Sequence, residues 1–266
     1  MVSASAEPTL ADDLSLALTL AAEADLISLD RYRAQDLGVQ LKADKSIVTD
    51  ADTRVERVLR EHLAEARPTD AVLGEEFGSV GDSRRQWIID PIDGTSNFAR
   101  GVPIWGALIA LAVDDVPVVG VVSAPALGRR WWGATGHGAW LEVHGEEPRR
   151  IRVSGVDRLE DATLSYNNLQ TWDQYGHLDH LITLSRAVGR TRAFGDLWSY
   201  MLLAEGAIDI AGEFDVKPWD IAALMPIISE AGGRTTTASG TTDLTELSVI
   251  ATNGLLHDSV LTHLNP

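Results

Sequence analysis

The chain has 266 residues, 45% of them hydrophobic, with a formal net charge of −17 and no cysteine. That length and apolar content bury a large core, as one big domain or two moderate ones packed together. The charge argues against a nucleic-acid partner, which needs basic patches, and the lack of cysteine excludes disulfides, thiolate metal sites and cysteine nucleophiles. The acidity also makes an anionic substrate awkward unless cations intervene. The opening MVSASAEPTLADD has no basic segment followed by an apolar run, so no signal peptide is expected. The longest apolar-plus-glycine run, 105–113, is shorter than the roughly 18–20 residues that span a bilayer, and the expectation is a soluble cytoplasmic protein with no membrane or nucleic-acid partner.

In chain order, apolar residues at Leu14, Leu18, Ala21, Ala22 and Leu29 give residues 10–33 a helical period. A second helix opens at Thr49-Asp50-Ala51-Asp52, with Val55, Val58, Leu59 and Leu63 facing the core and acidic residues in its first turn, where the helix dipole favours them. Strand patterns follow at 71–73, 87–89, 105–113, 116–122, 130–133 and 139–143, separated by turn signals such as Asp114-Asp115 and Gly136-His137-Gly138. The first half therefore predicts two helices followed by a mostly antiparallel sheet.

Beyond about residue 150 strands and helices alternate. Strands are expected at 162–166, 191–194, 207–211 and 248–251, and helices at 178–188, 197–205, 221–230 and 255–264. Ala231-Gly232-Gly233 is a C-cap signal. No internal repeat or low-complexity linker is present, and 144–150 reads as a loop inside a compact unit. The expected division is an N-terminal α+β half, 1–148, and a C-terminal α/β half, 149–266.

The chemistry gathers where rigid elements end in carboxylates, the positions at which binding groups accumulate. Glu75 and Glu76 follow Val72-Leu73-Gly74, Asp90 and Asp93 end the strand Trp87-Ile88-Ile89, Asp220 begins a helix after Lys217-Pro218-Trp219, and Asp52 lies in a helical first turn. Hard divalent cations take carboxylates, backbone carbonyls and water. Asp90, Asp93 and the Ile92 carbonyl could reach one such site, with Pro91 stiffening the turn. Gly94 permits a tight turn in which the N–H groups of Gly94, Thr95 and Ser96 face an anion. Taken alone, Asp-x-x-Asp-Gly is as often a solvated turn, and Asp220 alone reads equally as a helix cap.

The combination of GEE (74–76), WIIDPIDGTSNF (87–98), KPWD (217–220) and KADKSIVTDAD (42–52) resembles the inositol monophosphatase-like family of metal-dependent phosphatases, in order and over nearly the whole chain. Within it, residues 101–132, 192–213 and the closing ATNGLLHDSVLTHLN are most similar to the actinobacterial-type histidinol-phosphatases. The resemblance implies a layered αβαβα sandwich of the inositol monophosphatase / fructose-1,6-bisphosphatase type, two to three Mg2+ per site, and a homodimer. It places Glu75, Asp90 and the Ile92 carbonyl on the first metal, Asp90, Asp93 and Asp220 on the second, and Glu76 near a third. Asp52 and Thr95, with Glu75, would serve the attacking water, and the Gly94 and Thr95 N–H groups the phosphate. With no GxSxG elbow and no cysteine, a covalent phosphoenzyme is not expected.

Substrate choice falls to Asp196 and Glu213, which occupy family positions facing the alcohol part, with Arg192 as a further candidate nearby. Two carboxylates suit the amine and imidazolium of histidinol; they would also hydrogen-bond inositol hydroxyls. Asp196 is the better discriminator, its alternative reading being a helix cap before Leu197-Trp198. The expected reaction is hydrolysis of L-histidinol phosphate in histidine biosynthesis. Inositol-1-phosphatase with broad phosphomonoesterase activity is the alternative. A binding role with the transcription machinery, known among relatives, finds no basic docking surface in the charge.

Overall fold

The computed structural model describes residues 8–43, 46–144 and 146–265. Met1–Glu7 of the opening stretch, Asp44 and Lys45 of KADKSIVTDAD, and Gly145 of the expected loop lie outside them.

Two helices, α1 (Leu10–Arg31) and α2 (Asp50–Ala66), each start on a capping box, Thr9 with Asp12 and Thr49 with Asp52. Between them β1 (Val39–Leu41) and β2 (Ile47–Thr49) form a small antiparallel ribbon. Then come β3 (Ala71–Gly74), β4 (Gly78–Val80), β5 (Arg85–Asp93), the short α3 (Thr95–Arg100), β6 (Gly106–Val113), β7 (Val116–Ala124), β8 (Arg129–Ala134), β9 (Gly138–Val143) and β10 (Arg149–Arg150). These strands make one sheet in the order β10-β9-β8-β7-β6-β5-β3-β4. Only β3 and β5 are parallel neighbours, so both deliver their C-terminal ends to the same side.

The second half contributes β11 (Thr163–Tyr166), α4 (Leu169–Gln174), α5 (Leu178–Ala187), β12 (Arg190–Arg192), α6 (Asp196–Ala204), β13 (Ile210–Phe214), α7 (Pro218–Ile221), α8 (Leu224–Glu230), β14 (Arg234–Thr236), β15 (Ser248–Thr252) and α9 (His257–Leu264). Its sheet runs β12-β11-β13-β15-β14.

Alternation along β5 explains the layering, since successive side chains of a strand face opposite sides. Trp87 and Ile89 pack with Ala17, Leu20, Val55 and Leu59 of α1 and α2. Ile88 packs on the other face with Leu197, Met201, Leu224 and Ile228 of α6 and α8, whose far side meets Ala211 and Val249 of the small sheet. A third cluster, with Leu164, Trp172, Leu181 and Val260, covers that sheet's outer face with α4, α5 and α9. The result is the expected αβαβα sandwich. Trp131 and Trp132 both lie in these cores. No helix among the described residues is long and apolar enough to cross a membrane.

Three expectations shift. Asp90 and Asp93 do not follow β5 but lie within it, across a register irregularity between the two that contains Pro91. Proline cannot donate to a ladder and is tolerated where pairing is already broken. The helix expected at 221–230 is split into α7 and α8; Pro226 has no N–H to bond back to Ala222, so it fits only in the first turn of a new helix. The strand expected at 207–211 begins at Ile210 and carries Glu213 inside it. Asp209 is buried just before, accepting from Ser154 Oγ and from Thr163 N–H at 2.7 Å, which anchors the start of that strand.

Candidate active site

Three carboxylates that the sequence singled out are held by backbone donors. Asp90 Oδ1 accepts from Ile92 N–H at 2.9 Å, Asp93 Oδ2 from Leu197 N–H at 2.7 Å, and Asp220 Oδ2 from Lys217 N–H at 2.7 Å. The other oxygen of each has no hydrogen-bond partner among the described residues. Glu75 follows β3, its N–H on Ile89 O of the parallel strand, and Lys42 Nζ lies 2.8 Å from both Glu75 Oε1 and Glu76 Oε1.

The electrostatics show that these groups feel one another. Burial first, then the charge of Glu75, Asp93 and Asp220, pushes Asp90 well above the usual carboxylate range. Asp93 is raised by burial and by Asp196, Asp220 and Glu213. Asp220 is raised to about 8, mainly by burial, with Glu213 and Glu75 adding to it, and Glu76 to about 7 by burial against the opposing pull of Lys42. Carboxylates gathered with so little cationic compensation are what a bound cation relieves.

The donor set fits a hard divalent ion. It is all oxygen, and the Ile92 carbonyl stands between two of the carboxylates. Among the described residues no three acidic or histidine side chains form a ready-made cage. A hard divalent ion can bind through one or two carboxylates and complete its shell with waters and substrate phosphate oxygens.

Asp52 is fully buried, with one oxygen committed: Oδ2 accepts from both the N–H and the hydroxyl of Thr49. Its Oδ1 faces Thr95 Oγ1 at 3.3 Å, while that hydroxyl lies 2.9 Å from Ile92 O. Burial raises Asp52 to about 6. Gly94 has φ of 80°, and a Cβ there would stand 2.9 Å from Ile104 O, so the turn accepts only glycine without strain. It leads directly into α3, where the N–H groups of Asn97 and Phe98 bond back to Gly94 O and those of Thr95 and Ser96 have no partner within the helix.

Beyond Asp93 and Asp220 opens a cavity of about 260 Å3, walled by Asp196, Glu213, Asn167 and Tyr200. The helix-cap reading of Asp196 does not hold. Gly195 is the N-cap, and Asp196 sits at φ 46°, accepting from Asn97 Nδ2 at 2.8 Å. A non-glycine residue in that region carries about 1–3 kcal/mol of strain and persists only where its surroundings impose it. Glu213 accepts from Tyr200 OH at 2.8 Å and Asn167 Nδ2 at 2.6 Å, and burial raises it to about 7. Arg192 stands apart: it is exposed on edge strand β12, its guanidinium on Thr191 O, and it does not line the cavity. Asp220 does combine a capping role with its place in the cavity wall.

Sequence reasoning passed over four supporting residues. Glu56, fully buried in α2, accepts from Glu76 N–H at 2.7 Å and Phe77 N–H at 3.2 Å. A Cβ on Gly74 would fall 2.0 Å from its Oε1, which explains the glycine of GEE. Nothing in the helical pattern marks Glu56 except an acidic residue on a core-facing stripe. Asn97 stood inside the quoted motif without a role, and Asn167 and Tyr200 carried no local signal.

The chain and its fold have counterparts. The model of the inositol monophosphatase family matches residues 10–265. Histidinol-phosphatase of Mycobacterium tuberculosis is 54% identical over 96% of this chain and 98% of its own, and that of Streptomyces coelicolor 47% identical over 97% and 98%. Among solved structures, the extragenic suppressor protein SuhB of Bartonella henselae superposes with a TM-score of 0.85 at 30% identity, covering 95% of this chain and 98% of its own. An inositol monophosphatase/NADP phosphatase complexed with Mg2+ and phosphate shares the fold with a TM-score of 0.84 at 24% identity, covering 97% of each chain. Matched by the family model over residues 10–265 and by these relatives over nearly its whole length, the chain belongs to the inositol monophosphatase family.

Proposed function

We propose that this protein is a Mg2+-dependent phosphatase that hydrolyses L-histidinol phosphate to L-histidinol and phosphate, a step of histidine biosynthesis. The observation that carries the reading is one cavity lined by Asp93, Asp220, Asp196 and Glu213; the reading puts the first two on the phosphate side and the other two on the alcohol side. The histidinol-phosphatases named above support the same substrate.

Glu75, Asp90, the Ile92 carbonyl, Asp93 and Asp220 would hold two Mg2+, with Glu76 at a third. When bound, these ions acidify a water for attack on phosphorus and offset the charge on the leaving oxygen. The chain's own residues do the rest. Asp52, fixed through Oδ2, presents Oδ1 with Thr95 Oγ1 to orient the attacking water and receive its proton. The Gly94–Thr95 turn offers N–H donors to the phosphate oxygens. Asp196 and Glu213, held by amide and hydroxyl donors, pair with the substrate's cationic nitrogens, placing the ester oxygen over the carboxylate cluster. Lys42 balances the charge of Glu75 and Glu76. The family likeness extends to the expectation of a cytoplasmic homodimer.

Phosphate release by the purified protein tests this reading. It predicts turnover of histidinol phosphate that is abolished by EDTA and restored by Mg2+; turnover indifferent to chelation would sink it.

A further inference from the structure

Glu213 is clamped at both oxygens, by Tyr200 OH at 2.8 Å and Asn167 Nδ2 at 2.6 Å. A carboxylate only accepts, so the bond to Glu213 fixes which end of the Asn167 amide is nitrogen. The carbonyl end is thereby defined as well. Asn167 Oδ1 receives no hydrogen bond among the described residues, and it lies 3.1 Å from where a Cβ on Gly195 would stand. Gly195, at φ 75°, directly precedes Asp196. A neutral, oriented acceptor is therefore set between the two carboxylates of the alcohol-side cavity, whose wall it forms.

We propose that Asn167 determines leaving-group specificity: Oδ1 accepts a hydrogen bond from an N–H or O–H donor of the substrate's alcohol part, while Nδ2 holds Glu213 for a cationic nitrogen. This rests on the reading of that cavity as the alcohol subsite. A third carboxylate here would add repulsion to a cluster already resisting ionisation; an amide reads a donor without adding charge. An imidazole N–H matches it, and an alcohol lacking a donor at that point leaves Oδ1 desolvated and unpaired, which a site built around a hydrogen bond discriminates against. Glycine at 195 is required because a side chain there would press on the amide.

The test is steady-state kinetics of Asn167→Ala and Asn167→Asp in Mg2+, with histidinol phosphate, inositol-1-phosphate and p-nitrophenyl phosphate. Asn167→Asp keeps the side chain's size, so a folding defect in the alanine variant does not blind the experiment. Expected for both is a fall in kcat/KM on the alkyl phosphate that wild type prefers at least tenfold larger than the fall on the aryl ester, carried by KM. Parallel losses on all three esters, or no loss on the preferred one, overturn the proposal. The wild-type preference is read separately. If inositol-1-phosphate is preferred, the substrate reading fails, and the role of Asn167 is judged on that ester.

Discussion

Asn97 Nδ2 donates to Asp196 Oδ2 at 2.8 Å across 99 residues of chain, and to Ile104 O at 2.9 Å. The helix that follows β5 thus holds the carboxylate that the proposed function sets against the leaving group. Asn97→Ala leaves Asp196 strained and without its amide donor. The expected result is a several-fold rise in KM for histidinol phosphate and a loss of about 1–3 kcal/mol in denaturant unfolding. Asp196→Ala should raise KM for histidinol phosphate much more than for an aryl phosphate. Equal effects on both esters would make Asp196 a structural residue only.

Asp93→Asn keeps an oxygen for the Leu197 N–H but removes a charge from the cluster. Turnover is expected to fall by about a hundredfold or more, roughly 2.7 kcal/mol. The melting temperature of the metal-free protein should hold or rise, because Asp93 repels Asp196, Asp220 and Glu213. Wild-type turnover in this variant would remove Asp93 from the ligand set.

Gly74→Ala drives a Cβ into the Glu56 carboxylate. Overpacking of this kind costs about 1–3 kcal/mol, and here it displaces the backbone that carries Glu75 and Glu76. Urea unfolding should show that loss together with weaker stabilisation by Mg2+. An unchanged midpoint and an unchanged response to Mg2+ would mean that Glu56 yields freely.

The pH dependence of stability carries a definite sign. Asp220, Glu76 and Glu213 have folded-state values near 8, 7 and 7, above their ordinary 3.8 to 4.5. The folded protein therefore holds protons that the unfolded chain has lost, and stability falls as pH rises towards about 8. Buried His257, lowered to about 4, acts below its ordinary 6.5 and in the opposite direction. Between pH 6.5 and 8.5 the metal-free protein should lose thermal stability, and Mg2+ should stabilise it more at 8.5, where protons no longer compete. Melting curves in EDTA and in Mg2+ at both pH values check this; a metal-free protein more stable at 8.5 contradicts it.

Much of this was legible because the relevant residues sit on elements with strong patterns. Trp87-Ile88-Ile89 reads as buried strand in any context and Gly94 marks the turn, so Asp90 and Asp93 stood out between the two, although β5 runs on through them. The helix expected to open at Thr49–Asp52 does so, and the capping box between those two residues adds to it. The shortest strands were not legible: β1, β2, β4 and β14 are three residues each, and their order comes from pairing partners rather than local pattern. The N-cap of α4, Asn168 accepting from Thr171 N–H, was a signal present but unread. Glu56, Asn97, Asn167 and Tyr200 act across 13 to 99 positions of sequence, and no periodicity encodes such distances. Arg192 lies outside the cavity, because proximity in sequence to Asp196 does not survive the change from an edge strand to a helix.

Alcohol-side carboxylates that select a cationic leaving group should show themselves in relative rates. The most direct test is the ratio of kcat/KM for histidinol phosphate to that for inositol-1-phosphate in saturating Mg2+. The account predicts a preference of a hundredfold or more for histidinol phosphate, about 2.7 kcal/mol of transition-state discrimination. A ratio near one, or a preference for inositol-1-phosphate, would leave the carboxylate cluster in place and contradict the assignment of its substrate.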